Sequence, residues 1–110
     1  MAEVMGARLA RVMERVGRAC AAAGRGEGDV RVIAVSKIQP AEAIQEAYAL
    51  GVRDFGENYV QELAAKRAQL PQDIRWHFIG RLQSNKAKLL RSGPLGWVHA
   101  LDSVSQVKAL

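Results

Sequence analysis

Apolar residues recur first at helical spacing. Met5, Leu9, Val12, Met13, Val16 and Cys20 fill one arc of a helical wheel, and Arg8, Arg11, Arg15 and Arg18 fill the opposite arc. This pattern predicts an amphipathic N-terminal helix with one packed and one wetted face. Gly24-Arg25-Gly26-Glu27-Gly28-Asp29 then breaks the chain. The unbroken run Val30-Arg31-Val32-Ile33-Ala34-Val35 reads as a buried strand. Pro40 is placed to open the next helix at its first position. Ile44, Ala47 and Tyr48 repeat along that helix and Gly51 closes it.

The same cycle returns three times. Val52-Arg53-Asp54-Phe55 is a short strand, followed by a helix from Tyr59 to Leu70 with the apolar stripe Val60, Leu63 and Ala64, stopped by Pro71. A third strand, Ile74 to Ile79, precedes a helix through Ala87, Leu89 and Leu90, with Ser84 or a near neighbour as cap and Ser92-Gly93-Pro94 as its end. A fourth strand, Trp97 to Leu101, leads into Ser103-Val104-Ser105-Gln106, a capping-box pattern that starts another helix reaching Leu110.

The residues closing the four strands, Lys37, Asn58, Gly80 and Asp102, are separated by 21, 22 and 22 positions. Strands alternating with helices at this spacing pair in parallel through right-handed crossovers, in either an open doubly wound sheet or a closed barrel. No glycine-rich phosphate loop follows the first strand, which lowers the nucleotide-binding reading and favours the barrel. A (β/α) TIM-type barrel has eight units in about 250 residues. Residues 1–110 therefore read as its first four βα units preceded by an extra N-terminal helix, the N-terminal half of a single domain. Such a half would expose two strand edges and an apolar interior wall, and is expected to be partly molten or to self-associate.

Composition changes this picture little. The 110 residues are 49% hydrophobic and 25% charged, an ordinary globular mixture. No apolar run approaches the roughly 20 residues of a membrane span, so no membrane partner is expected. The net charge of +5 raises nucleic acid as a partner. The helical arginines, however, lie on one solvated face without an aromatic to stack a base, so nucleic acid is not expected either. Cys20 stands alone among alanines and reads as a small buried thiol, in keeping with a cytoplasmic location.

Barrels carry their chemistry at the carboxyl ends of the strands, which brings forward Ser36, Lys37, Glu57, Asn58, His77, Gly80, Arg81 and Asp102. Lys37 directly follows an apolar run. Desolvation there would favour a neutral, nucleophilic amine fit to capture an aldehyde; alternatively the ammonium snorkels to water. Asn58 and Glu57 also suit the start of the following helix, Asn58 as its N-cap and Glu57 as a carboxylate favoured by the dipole. His77 and His99 sit at equal distances before their strands' ends, but two histidines without further ligands fall short of a metal set, and packing or hydrogen bonding is the expected role. Arg81, Asn85 and Lys86 form a polar cluster expected to be solvated.

Three segments add a resemblance. Ile33-Ala34-Val35-Ser36-Lys37, Asp54-Phe55-Gly56-Glu57-Asn58-Tyr59-Val60-Gln61-Glu62 and Trp76-His77-Phe78-Ile79-Gly80-Arg81-Leu82-Gln83-Ser84-Asn85-Lys86 are similar, in order and spacing, to the pyridoxal phosphate homeostasis protein family. The resemblance implies a barrel like the N-terminal domain of alanine racemase. It implies that Lys37 forms the Schiff base with pyridoxal 5'-phosphate and that Asn58 hydrogen-bonds near the cofactor ring. It further implies a monomeric carrier that controls the supply of free cofactor without established catalysis; a racemase-type enzyme is the alternative. The groups that hold the phosphate and the pyridine nitrogen are expected from the second half of the barrel.

Overall fold

In a computed structural model, residues Ala2–Leu110 are described. Helix α1 (Ala2–Ala22) is followed by a 3-10 turn at Glu27–Asp29. Four strands alternate with helices: β1 (Ala34–Val35), α2 (Ala41–Ala49), β2 (Asp54–Glu57), α3 (Val60–Gln69), β3 (Arg75–Phe78), α4 (Ala87–Leu90), β4 (Trp97–Val98) and α5 (Val104–Ala109). Pro40 stands immediately before α2, and Gly51, with φ 103°, turns the chain out of it.

The strands form one parallel sheet in the order β1-β2-β3-β4. Because each strand is added on the same side of its predecessor, right-handed crossovers place their helices on a single face. A doubly wound sheet reverses its strand order midway and carries helices on both faces; the order here runs in sequence without such a reversal. On the helix face, Phe55, Trp76 and Phe78 pack with Ile44, Leu63, Leu82 and Leu90, all essentially without solvent exposure. In-register partners in a parallel sheet point to the same side, so Val35, Gly56, His77 and Trp97 form a row on the other face. Val35 is 55% exposed there and Trp97 40%.

Several expected boundaries shift. The first strand pairs only at Ala34–Val35, because the register partners of Val30 to Val32 are residues 51 to 53, which form the turn leaving α2. The fourth pairs only at Trp97–Val98, with further ladder bonds on either side from Gly96 N–H to Trp76 O at 2.9 Å and from His99 N–H to Phe78 O at 3.0 Å. Ser84 does not cap a helix. It opens a 3-10 turn, Ser84–Lys86, which runs into the single turn of α4. On α1 the apolar arc is only partly packed: Cys20 is buried, as its alanine neighbours suggested, whereas Val12 and Met13 are exposed. The Ser103 capping box forms as the sequence predicts, the hydroxyl accepting from Gln106 N–H at 3.2 Å and Gln106 Oε1 accepting from Ser103 N–H at 3.1 Å.

Two basic residues of α3 are buried, against the usual preference for solvent. Arg67 ties α3 to the end of α4: its guanidinium donates to Leu89 O at 2.6 Å, Leu90 O at 2.5 Å and Ser92 Oγ at 3.1 Å. Carbonyls that end a helix have no partners within it, and Arg67 supplies them. Lys66, one residue earlier, turns towards the carboxyl edge of the sheet.

Candidate functional site

At that edge the chain leaves β1 through a turn held by buried charge. Ser36 is buried; its N–H donates to Gly56 O at 2.9 Å, and its carbonyl accepts from Gln39 N–H at 3.1 Å and from Lys66 Nζ at 2.7 Å. The Ser36 hydroxyl also hydrogen-bonds Glu57 Oε2. On the other side of Lys37, Ile38 N–H donates to Glu62 Oε2 at 2.7 Å. Lys66 joins both acids, reaching Glu57 Oε2 at 3.0 Å and Glu62 Oε2 at 3.0 Å.

Ile38 adopts φ 67°, the left-handed region, where a β-branched residue is strained by about 1–3 kcal/mol. Such a conformation persists only where its surroundings impose it. Here the charge-assisted bond from Ile38 N–H to Glu62 does so; bonds of this kind contribute about 1.5–3 kcal/mol each.

The two acids differ. Burial is the largest influence on Glu57 and raises its carboxyl above the ordinary value, despite Ser36 and Lys66. Burial also opposes ionisation of Glu62, but the bonds from Lys66 and Ile38 N–H outweigh it and leave that carboxyl below the ordinary value.

Lys37 itself is exposed, so the burial its apolar predecessors implied is not found; β1 ends before it and the turn lifts it clear of the sheet. Counting two residues past the registered pair Val35 and Gly56 brings Lys37 level with Asn58, which is half-buried at the end of β2. Asn58 is not the cap of α3. Tyr59 holds that position, extended and without a side-chain cap bond. Gly80, at the end of β3, allows an unusually close approach: a Cβ there would stand 2.0 Å from Asn58 O.

Lower on the same open face lies a second polar group. Arg75 holds Asp54 with Nε at 3.0 Å and Nη2 at 2.7 Å, and His77 Nε2 lies 2.9 Å from Asp54 Oδ1. His77 Nδ1 lies 3.0 Å from His99 Nε2, and the His77 ring stacks on Trp97 at 4.4 Å, with Arg31 over the indole. The histidines thus take the packing and hydrogen-bonding role expected of them, and bond to each other, though not from equal registers: Trp97 is the partner of His77, and His99 lies two residues on. Among the described residues, no group of three or more His, Cys, Asp and Glu side chains is placed to hold a metal ion.

Burial alone would raise the Asp54 carboxyl, but bonds from Arg75 and His77 and the charges of Arg75 and Arg31 hold it below its ordinary value. A carboxylate depressed by folding contributes stability that is fully present above its unfolded value, 3.8, and is lost as the pH falls through the folded value. The Asp54→Asn variant is expected to be less stable at neutral pH, with the deficit shrinking in acid. Urea midpoints compared at neutral pH and at about pH 3 would check this, and a constant deficit would count against it.

Of the residues singled out from sequence, the fold gathers Ser36, Lys37, Glu57 and Asn58 at one edge. Arg81, Asn85 and Asp102 are exposed and Lys86 half-buried, with no comparable network around them. Glu62 and Lys66 were missed and Glu57 was given no role, yet a signal existed: Lys66 and Arg67 fall three and four residues after Leu63, where the apolar stripe should continue.

No protein-family model matches the sequence. Curated proteins do: the chain is 45% identical over 103 residues to the pyridoxal phosphate homeostasis protein of Pseudomonas aeruginosa, covering 93% of this chain and 44% of that protein. It is 48% identical over 96 residues to the protein of the same name from Aquifex aeolicus, covering 86% and 42%. Among solved structures, PipY of Synechococcus elongatus with PLP bound matches at 44% identity and TM-score 0.69, over 86% of this chain and 45% of that one. A protein of unknown identity from Bifidobacterium adolescentis matches at 30% identity and TM-score 0.88, over 98% and 48%. The chain thus spans less than half the length of the relatives it matches. It is related, across most of its own length, to the N-terminal half of the pyridoxal phosphate homeostasis protein family.

Proposed function

We propose that Lys37 is the covalent attachment point for pyridoxal 5'-phosphate in a cytoplasmic carrier that holds the cofactor without turning over a substrate. The observation that carries this reading is an exposed lysine on a turn fixed from both sides, at the carboxyl edge of a parallel sheet, in a segment that resembles the pyridoxal phosphate homeostasis proteins. When bound, the cofactor supplies an aldehyde carbon for a Schiff base with Lys37 Nζ. The residues present fit that end of the cofactor: an accessible primary amine on ordered backbone, with Asn58 level with it to hydrogen-bond near the ring. Donors for a phosphate are not gathered around Lys37 among the described residues, and in this reading they come from the second half of a closed (β/α) barrel whose first arc is this sheet.

Borohydride reduction of the chain with pyridoxal phosphate, followed by peptide mapping, tests the attachment. Label is expected chiefly on Lys37, and label chiefly on another lysine would remove the reading. Racemisation or transamination of amino acids at an appreciable rate by the complete protein would overturn the carrier role. In the same reading the open face, with Val35, Trp97 and Leu101 exposed, is an interior wall. The isolated chain is expected to self-associate through it, and sedimentation should show species heavier than 12.0 kDa.

A further inference from the structure

We propose that Glu62 and Lys66 are positioning residues for Lys37, clamping the peptide groups on both sides of it so that its amine, and not the neighbouring one, is offered at the sheet edge. This rests on reading Lys37 as the attachment lysine. The carbonyl just before Lys37 belongs to Ser36 and is held by Lys66 at 2.7 Å; the N–H just after it belongs to Ile38 and is held by Glu62 at 2.7 Å. Both clamps come from one turn of α3, since Glu62 and Lys66 are four residues apart and paired at 3.0 Å. The helix acts as a splint against which the turn is set, and Ile38 at φ 67° is the residue that would relax first without it.

The same network separates the two lysines near this edge. An ammonium has three N–H groups, and those of Lys66 meet the Ser36 carbonyl, Glu57 and Glu62. Lys66 is also buried, 8% exposed along its side chain, whereas Lys37 is exposed. Condensation requires an amine that can give up its proton to solvent, attack the aldehyde carbon and release water. Lys66 has neither the access nor a free N–H; Lys37 has access.

The test uses the whole chain, pyridoxal phosphate and borohydride, with exposed Lys88 and Lys108 as references inside each molecule. In the parent protein label is expected on Lys37 and not on Lys66. In Lys66→Met and in Glu62→Ala, labelling of Lys37 relative to Lys88 and Lys108 is expected to fall about tenfold, within the roughly hundredfold that a misplacement of about 1 Å can cost. Glu62→Gln, whose amide oxygen still accepts from Ile38 N–H, should stay within about twofold of the parent.

Because Lys66→Met also weakens the fold, the Glu62 pair carries the comparison. There the Ile38 amide should exchange with deuterium faster in Glu62→Ala than in Glu62→Gln, a readout independent of the cofactor. An unchanged Lys37 ratio in Glu62→Ala, an equal loss in Glu62→Gln, or label on Lys66 in the parent would each overturn the positioning role. Even labelling of all lysines in the parent would instead remove Lys37 as the attachment point, and the positioning role with it.

Discussion

Replacing Gly80 with alanine is expected to destabilise the protein by about 3 kcal/mol or more, a cost at the upper end for overpacking. The added Cβ would stand 2.0 Å from the carbonyl oxygen of Asn58, 2.7 Å from its carbonyl carbon and 2.9 Å from its Cα. All three are backbone atoms, so no rotamer change can relieve the contact, and the ends of β2 and β3 must part. Gly51 offers the contrast. Its φ is 103° but nothing lies within 4 Å of the position a Cβ would take, so Gly51→Ala should lose about 1–2 kcal/mol, from backbone conformation alone. Urea unfolding followed through buried Trp76 would measure both. Similar losses at the two sites would show that β3 does not approach Asn58 this closely. Because the separation falls at the carboxyl edge, Gly80→Ala should also lower labelling of Lys37 by pyridoxal phosphate, which Gly51→Ala should leave alone.

Removing Lys66 is the second large effect. Lys66→Met leaves Glu57, which is fully buried, without its cationic partner, and breaking a buried pair from one side costs about 3–5 kcal/mol. Much of that loss is the penalty of a stranded carboxylate, so it should be recovered in part by Glu57→Gln in the same chain, where a neutral amide keeps a partner for Ser36. The double-variant cycle isolates the pair, and a coupling energy near zero would mean that Lys66 acts through packing alone.

The pH dependence has a definite sign. Glu57 is already raised above its ordinary value by burial. Without Lys66 its protonated form is favoured further. A group whose folded-state pKa is raised contributes stability present below the unfolded value and lost as the pH rises through the folded value. The Lys66→Met deficit should therefore be smallest in acid and grow towards neutrality. Asp54→Asn shares this direction for a different reason: its deficit also shrinks in acid, because the group removed there is a carboxylate whose folded value is lowered.

The order of elements, their type and the helix faces were legible in the sequence because they depend on local spacing. Proline before α2, glycine after it, and the Ser103–Gln106 capping box act within a few residues, and each element appears where these signals placed it. The three motifs were legible for the same reason, and with them the likeness to pyridoxal phosphate homeostasis proteins.

Strand ends were less legible. Whether Val30 to Val32 pair depends on what lies beside them, and the turn at Gly51 occupies that place. The exposure of Lys37 was hidden in the same way: an apolar run announces burial, but the turn after Val35 carries the lysine out of it.

Sequence alone determined the alternation of strands and helices, the lysine at the first strand's end and the motifs that relate the chain to pyridoxal phosphate homeostasis proteins. Only the tertiary structure decided that Glu57, Glu62 and Lys66 converge on the peptide groups flanking that lysine, and that Gly80 must be glycine for β3 to close on Asn58. The physical reason is range. Helix and turn propensities act over four residues or fewer, whereas the bonds that bring Glu57, Glu62 and Lys66 to the turn after β1 join residues 21 to 30 positions apart that meet only once the sheet has formed.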